Sequence, residues 1–512
     1  MNRENTQQAD PGRKRIPVVG ALQRTALLLS GLLLAGCAVV GPDYEKPELT
    51  LPEKWQEIPD PALLPDEEAI RCWWTLFDDP LLTRLIEEAA AGNLDLLTAV
   101  ARVREARARL SVTAGSTLPS IDATAAMSRQ RNSESEWMGT GETYSSFGLG
   151  LDASWEIDLF GRLDRAIEAS TADFQASEED RTDVAITLFA EVARTYLAVR
   201  TLQARLAATG KNVDSQTRLL ELTRSRAECG LATGLDVARA EQFLASTEAG
   251  LPLLRLDLNS AINTLGVLLG RPPGALREEL DRIGPIPLPP AQATIGVPAD
   301  LLRRRPDIRR AERELAAQTA RIGLATADLY PRLSLSGAFG LSSNETNRVL
   351  HRGSRVWNIG PSLSWNVFDG GRVRRRIDVE DALTEQALLR YERSVLEALG
   401  EVENSLIACR EQRLRLEALE RAVAASRRAS ELALRLYDDG LEDFQPVLDA
   451  QLDLVGFENA AAATRGDAAA SLVRLFKAIG GGWDPGEVAE SAPAQDAGDD
   501  EIPPPKEVPG ES

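Results

Sequence analysis

The sequence predicts a mostly α-helical chain with a small membrane β part, assembled as an internal two-fold repeat. Three observations carry that prediction: a constant offset between matching residues, two very long proline-free runs, and four short stretches of apolar/polar alternation. Trp155, Gly161, Arg162, Gly230 and Val237 recur as Trp365, Gly371, Arg372, Gly440 and Val447, each 210 residues later. A fixed offset held over such a distance marks a repeat. Asp95 and Pro119 likewise match Asp307 and Pro331, at an offset of 212. The second copy is therefore expected to lose two residues in a loop between Pro331 and Trp365.

The long runs come first because they set the scale. Between Gly161 and Gly230 there is no proline, and Ala, Leu, Arg and Glu dominate. A continuous helix of that length measures roughly 100 Å at about 1.5 Å per residue. Ala185, Val192, Val199, Leu206, Val213 and Leu220 step by seven, as do Leu388, Val395, Val402, Cys409, Leu416 and Val423. A sustained seven-residue spacing predicts coiled-coil packing. Gly210 costs the first helix only about 1 kcal/mol.

The N-terminus reads as an address. Arg13-Lys14-Arg15 precedes the short apolar run Ala26 to Ala35, which is too short to span a bilayer and suits a secretory signal. It ends Leu34-Ala35-Gly36-Cys37, which looks like a bacterial lipobox. Residues 1–36 would be the lipoprotein signal, and Cys37 would carry diacylglycerol and an N-acyl lipid. Ala38 resembles the next residue of lipoproteins sent to the outer membrane. Residues 37–72 are proline-rich and predict an extended tether. Cys229 and Cys409 lie at different distances from their helix breaks and cannot pair within one hairpin. They are expected to be buried small hydrophobes.

A first repeat spans 73–270, opening on Trp73-Trp74 and a helix from about Leu94 to Leu118. Its strands cover about 119–130 and 144–157, and its helix break falls at about 229–236. Ile121, Ala123, Ala125 and Met127 alternate with polar residues, as do Phe147, Leu149, Leu151, Ala153, Trp155 and Ile157. A proline-rich inter-repeat segment follows at 271–297. The second repeat spans 298–483, with a helix from Asp307 to Tyr330, strands at about 331–342 and 356–368, and a break at about 439–445. Leu333, Leu335, Phe339 and Leu341 share one face of its first strand, and Ile359, Leu363 and Trp365 share one face of its second.

Strict period two over about ten residues fits a membrane β-strand, lipid on one side and water on the other. Four strands cannot close a barrel, and an open sheet edge is not tolerated in hydrocarbon. The chain must therefore supply part of a shared barrel. The loops Arg129 to Thr143 and Ser342 to Arg355 are polar. The single histidine, His351, has no ligand partner at metal-binding spacing and reads as a solvated loop residue.

These residues resemble a family. The lipobox, Gly41-Pro42-Asp43-Tyr44, Trp74 with Phe77-Asp78-Asp79-Pro80, and Trp155 through Arg162 look like TolC-like outer-membrane efflux proteins. So do Leu301-Leu302-Arg303-Arg304-Arg305-Pro306-Asp307-Ile308 and Phe368-Asp369-Gly370-Gly371-Arg372. More narrowly they resemble the NodT-type lipoproteins of resistance-nodulation-division efflux systems. The resemblance implies a homotrimer whose strands form a 12-stranded outer-membrane barrel, continued by a long coiled-coil α-helical barrel into the periplasm. Gly230, Leu231, Ala232, Thr233, Gly440, Leu441 and Glu442 would form a tip that docks a periplasmic adaptor (membrane fusion) protein, itself joined to an inner-membrane pump. Arg226, Glu228, Arg435, Asp438 and Asp439 are the gate candidates that the family pattern implies. The 271–297 segment matches the equatorial belt of the family.

A formal charge of −20 argues against a nucleic-acid partner. Lining a water-filled duct, that charge would favour cations. The acidic, proline-rich tail 484–512 is expected to be disordered. No nucleophile elbow, phosphate loop or clustered metal ligands are present in the sequence, so no enzyme activity, catalytic residue, metal or cofactor is expected. The expected function is a passive, gated export duct for small molecules. The alternatives are a type I protein-secretion channel and a pore-free periplasmic scaffold lipoprotein.

Overall fold

The computed structural model describes residues 39–49, 51–52, 54–56, 70–135, 141–288 and 304–483. Cys37, the signal region, part of the proline-rich tether, the end of the inter-repeat segment and the acidic tail lie outside the described residues. A 3-10 turn at Trp73–Phe77 leads into α1 (Pro80–Gly92) and α2 (Leu94–Gly115), then β1 (Ser120–Arg131) and β2 (Thr143–Ile157). Helices α3 (Arg162–Glu228) and α4 (Gly234–Leu268) complete the first copy, and the single turn α5 (Arg277–Leu280) lies in the inter-repeat segment. The second copy is α6 (Pro306–Ala327), β3 (Arg332–Ser343), β4 (Arg355–Ser364), α7 (Arg372–Asp438) and α8 (Phe444–Ala478). Helices α3 and α7 each run 67 residues, and α4 and α8 each run 35. The repeat is therefore one of matched elements as well as of matched residues.

The two-residue contraction of the second copy is not in a loop. Both strand-to-strand loops, 132–142 and 344–354, have the same length, whereas β2 has 15 residues and β4 has 10. The contraction lies within the last strand, between Arg355 and Trp365. An even number is needed there, because a single-residue deletion would turn every later side chain to the opposite face. Nor does β4 continue to about 368. It ends at Ser364, paired with Arg332, because Pro331 precedes that partner and has no N–H to extend the ladder. Helices α2 and α6 also stop a turn earlier than expected. Each finishes in a tight turn of successive i→i+3 bonds, at Ser116 to Leu118 and at Asp328 to Tyr330.

The contacts divide the chain into two compact units. Among the described residues the first comprises 39–47, 105–135, 141–175 and 312–390, and the antiparallel sheet β1-β2-β3-β4 lies within it. The register puts Ile121, Ala153, Gly337 and Ile359 in one row, and Ala125, Leu149, Leu341 and Arg355 in another. These odd-numbered positions make the apolar face. Asp122, Asp152, Ala338 and Asn358 form a row of the polar face. The two tryptophans of the repeat serve one purpose: Trp155 Nε1 donates to Thr117 O at 2.8 Å and Trp365 Nε1 to Leu329 O at 3.0 Å. Each ties its strand to the turn that leaves the preceding helix.

Gly41-Pro42-Asp43-Tyr44 lies along this unit. Arg165, 3% exposed, donates to Val40 O, Gly41 O, Asp43 Oδ1 and Glu168 Oε2. Gly41 has φ +93°, and a Cβ there would stand 2.3 Å from Gly323 Cα. Only glycine at position 41 permits that approach, and a Cβ on Gly323 would instead stand 2.8 Å from Arg165 Cδ. The Asp158 carboxylate accepts from the amides of Arg162, Leu163 and Asp164, starting α3. Asp369 accepts from Gly371 and Val373 at the start of α7.

Among the described residues the second unit comprises 48–49, 51–52, 54–56, 70–104, 176–288, 304–311 and 391–483. Its main core packs Trp73, Leu82, Leu85, Val192, Tyr196, Leu265, Val402 and Phe476. The one-turn α5 is pinned by Gln203 Nε2 to Leu280 O and by Arg200 Nη1 to Arg282 O. Arg305 reaches Asp307, Glu401 and the carbonyl of Ala478. Burial works to raise the Asp307 pKa, but the hydrogen bond and charge of Arg305 prevail and hold it below the ordinary carboxylate range. Neighbouring Asp183 is pushed up, by burial first and then by the Asp307 charge.

The seven-residue seam is buried at its ends but not throughout. Ala185, Val192, Val199 and Leu220 are buried, and Leu206 and Val213 only half-buried. Between Val199 and Leu219 the buried residues of α3 are all polar: Arg200, Gln203, Thr209, Asn212 and Gln216. Gln216 is 2% exposed with neither amide atom paired. On α7 the equivalent stretch buries Ser426 and Ser430, the latter accepting from Gln451 at 2.8 Å. In α7, Leu388, Leu416 and Val423 are likewise half-buried.

Candidate functional site

The two helix-to-helix turns, 229–233 and 439–443, are the strongest candidates, because they carry the same geometry at the same place in each copy. Gly230 has φ +75° and Gly440 φ +73°, a left-handed conformation that glycine adopts without cost. Gly230 N donates to Ala227 O at 3.0 Å and Leu231 N to Arg226 O at 2.8 Å. Gly440 N donates to Tyr437 O at 3.0 Å and Leu441 N to Leu436 O at 2.8 Å. Both are Schellman closures, which satisfy the last carbonyls of the helix. Leu231 is left 67% exposed and Leu441 70%. A closing leucine normally packs back on its helix, so two such residues offered to solvent form an apolar knob at each turn.

Beneath the turns is a small separate core of Leu219, Leu220, Ala240, Phe243, Tyr437, Phe444, Val447 and Leu448. Tyr437 and Phe444 meet edge-to-face at 5.6 Å. Arg226 is set over the Tyr437 ring at 4.5 Å and its Nη1 donates to Asp438 O at 2.9 Å. The structure therefore brings three neighbours together, Arg226 from α3 with Tyr437 and Asp438 from α7. It does so through a ring face and a backbone carbonyl, with no carboxylate–guanidinium pair. Glu228, Arg435, Asp438 and Asp439 are exposed, as are Thr233 and Glu442, and Ala232 is half-buried.

Two further links cross between helices, Arg224 to Glu241 at 2.6 Å and Arg239 to Gln445 at 2.6 Å. The sequence singles out neither Phe444 nor Arg239, and it places Tyr437 and Gln445 only within the gate and turn stretches, without a contact for either. An aromatic one turn before the second glycine, with no counterpart at Ala227, was the available signal. Cys229 is exposed, unlike the buried Cys409. It stands one residue past the end of α3, where no neighbouring helix covers it. His351 is an exposed loop residue whose Nδ1 accepts from Gly353 N at 3.2 Å. Among the described residues no helix is long and apolar enough to cross a membrane, and no cluster of three or more His, Cys, Asp or Glu could hold a metal.

Two helical hairpins ending in matched turns, and an open four-stranded sheet with one apolar face, make up the two copies of the repeat. Comparison with known proteins makes this specific. The family model "outer membrane efflux protein" matches residues 85–271 and 297–481, and the chain belongs to that family. It is 32% identical over 456 residues to nodulation protein T of Rhizobium leguminosarum bv. trifolii, covering 89% of this chain and 96% of that one. It is 33% identical over 462 residues to the pyoverdine export outer membrane protein OpmQ of Pseudomonas aeruginosa, with the same coverages of 89% and 96%. Among solved structures, the outer-membrane channel OprN matches with a TM-score of 0.81 at 36% identity, over 87% of this chain and all of that one. The MtrE outer membrane channel of Neisseria gonorrhoeae, solved in its open state, matches with 0.75 at 28% identity, over 87% and 98%. The fold is TolC-like, and the chain is an outer-membrane efflux channel.

Proposed function

We propose that this chain assembles as a homotrimer whose strands close a 12-stranded barrel and whose helices form a periplasmic duct for small molecules. The observation that carries the reading is the sheet. Its apolar face exposes Ile121, Met127, Leu149, Phe339, Ile359 and Leu363 across all four strands, and its outer strands β1 and β4 each have one free edge. A free edge cannot stay unpaired in hydrocarbon, so β1 of one copy and β4 of another supply each other's missing hydrogen bonds.

The turns at Gly230 and Gly440 are the adaptor-docking surface, with Leu231 and Leu441 as its apolar knobs and Ala232, Thr233 and Glu442 beside them. Arg226 holds the closed tip by fastening α3 to Tyr437 and Asp438 of α7, and Glu228, Arg435 and Asp439 supply the exposed charges around it. An inner-membrane pump of the resistance-nodulation-division type provides the energy. Cys37 carries the lipid anchor. Transport through the duct is passive, and the chemistry of the cargo is chosen at the inner-membrane pump.

The test is single-channel conductance of detergent-purified protein in planar bilayers, with the particle mass measured first. Discrete conductance from a trimer is the expected result. A monomer without conductance overturns the reading and leaves a pore-free scaffold. Labelling with radioactive palmitate, lost on Cys37→Ser, tests the anchor.

A further inference from the structure

The apolar face of the sheet carries charge in one place only. Among the odd-numbered strand residues that make this face, the ionisable side chains other than tyrosine are Arg129, Arg131 and Arg355. All three are arginine, in a chain of net charge −20, and all stand at the end of the sheet that bears the two strand loops. Arg355 shares a row with Leu341, Leu149 and Ala125. Arg129 and Arg131 follow Met127 on β1, one and two rows nearer the loops. Arg131 also pairs with the exposed Glu134 at 3.3 Å.

At the same end of the sheet is an open apolar cavity of about 420 Å³, lined by Ala125, Met127, Phe147 and Leu149 from the strands and by Val349 and Leu350 from the β3–β4 loop. Val349 is buried, and Arg348 and Arg352 border the two loop residues in sequence. An apolar slot with arginines at the same end of the sheet, Arg129 two residues beyond the lining Met127 on the same strand face and Arg348 beside the lining Val349, matches an acyl chain joined to an anionic headgroup. Arginine in particular pairs with phosphate through two parallel hydrogen bonds, and basic pockets against apolar membrane surfaces hold phosphorylated headgroups.

We propose that this cavity and the arginines at its end of the sheet bind a phosphorylated lipid of the outer leaflet, a glycolipid whose headgroup carries more than one phosphate. One acyl chain enters the slot beside Met127 and Phe147, and the phosphates meet Arg129, Arg131 and Arg355. Bound lipid thereby fixes the height of the sheet in the membrane. The proposal rests on the outer-membrane reading above, which puts the loop end of the sheet at the cell surface.

The test uses the full chain, purified in detergent, titrated with bis-phosphorylated lipid A, with the same lipid after enzymatic dephosphorylation, and with phosphatidylglycerol. Native mass spectrometry counts the bound lipid. The phosphorylated form is expected to bind at least tenfold more tightly than either competitor. The triple variant Arg129→Gln/Arg131→Gln/Arg355→Gln should lose that preference while still binding the dephosphorylated form. Filling the slot with Ala125→Trp should weaken both glycolipids. Equal binding of the three lipids by the unaltered protein, or an unchanged preference in the triple variant, overturns the site.

Membrane fractionation and heat-modifiable oligomer on the same samples separate the two ideas. A correctly located oligomer without phosphate preference sinks the lipid site alone. A chain absent from the outer-membrane fraction sinks the functional reading, and the lipid site with it.

Discussion

The turns at Gly230 and Gly440 follow the same backbone path, yet different forces hold the helices that leave them. After Gly230, Thr233 and Asp236 make a reciprocal capping box: Asp236 N donates to Thr233 Oγ1 at 3.2 Å, and Thr233 N to Asp236 Oδ2 at 2.9 Å. Every bond in that closure is local and polar. After Gly440, Asp443 occupies the cap position and makes no side-chain capping bond. The next residue, Phe444, is instead 2% exposed and embedded with Tyr437, Leu219 and Phe243. The first turn is thus self-contained, and the second depends on the core beneath it. The lesson is that a repeat can preserve shape while dividing labour. One turn tolerates movement of its neighbours, whereas the other reports on them.

Four measurements sharpen or break this contrast, read as hydrogen-exchange protection of the tip amides and as channel openings. Phe444→Ala should have the largest effect, about 3–5 kcal/mol of local destabilisation, and should loosen the α7–α8 turn together with the Tyr437 cluster. Equal loosening of the α3–α4 turn and of α2 would show that the tip is not an independent core.

Arg226→Ala removes a charged hydrogen bond and a cation–ring contact, about 2 kcal/mol at a partly exposed site. It should raise the frequency of channel opening, and an unchanged frequency would remove Arg226 from the gate.

Gly230→Ala and Gly440→Ala each force an L-residue into positive φ, at about 1–2 kcal/mol. The second should cost more in protection, because Phe444 cannot follow a shifted backbone.

The smallest effects make the sharpest comparison. Thr233→Ala should cost about 1 kcal/mol, whereas Asp443→Ala should stay within about 0.5 kcal/mol. Equal losses at both positions would erase the distinction between the turns.

Much of the architecture was legible before any coordinates, for definite reasons. The repeat was visible because Trp155 and Trp365 close the same helix-to-strand turn, and because Gly230 and Gly440 stand where only glycine is comfortable. The strands were visible because their pleat writes burial into the sequence every second residue. The gate candidates were legible only as a neighbourhood. Arg226 and Asp438 do meet, but through a carbonyl and the face of Tyr437, and neither spacing nor charge pattern encodes a contact between helices 212 residues apart. The cysteines mislead for a related reason: Cys409 lies inside α7 and is covered, whereas Cys229 stands just past the end of α3 and is exposed, and such cover comes from distant residues.

The sequence by itself determined the fold class, the doubling, the strand faces and the position of the two turns. Each follows from local periodicity or from a conformation that few residues accept. Tertiary structure alone decided which seam positions are covered, that Asn212 and Gln216 are buried where Leu206 and Val213 are half-exposed, and that Phe444 rather than a cap closes the second turn. Burial is a property of neighbours brought together from distant parts of the chain, and a heptad pattern specifies a face without specifying what will cover it.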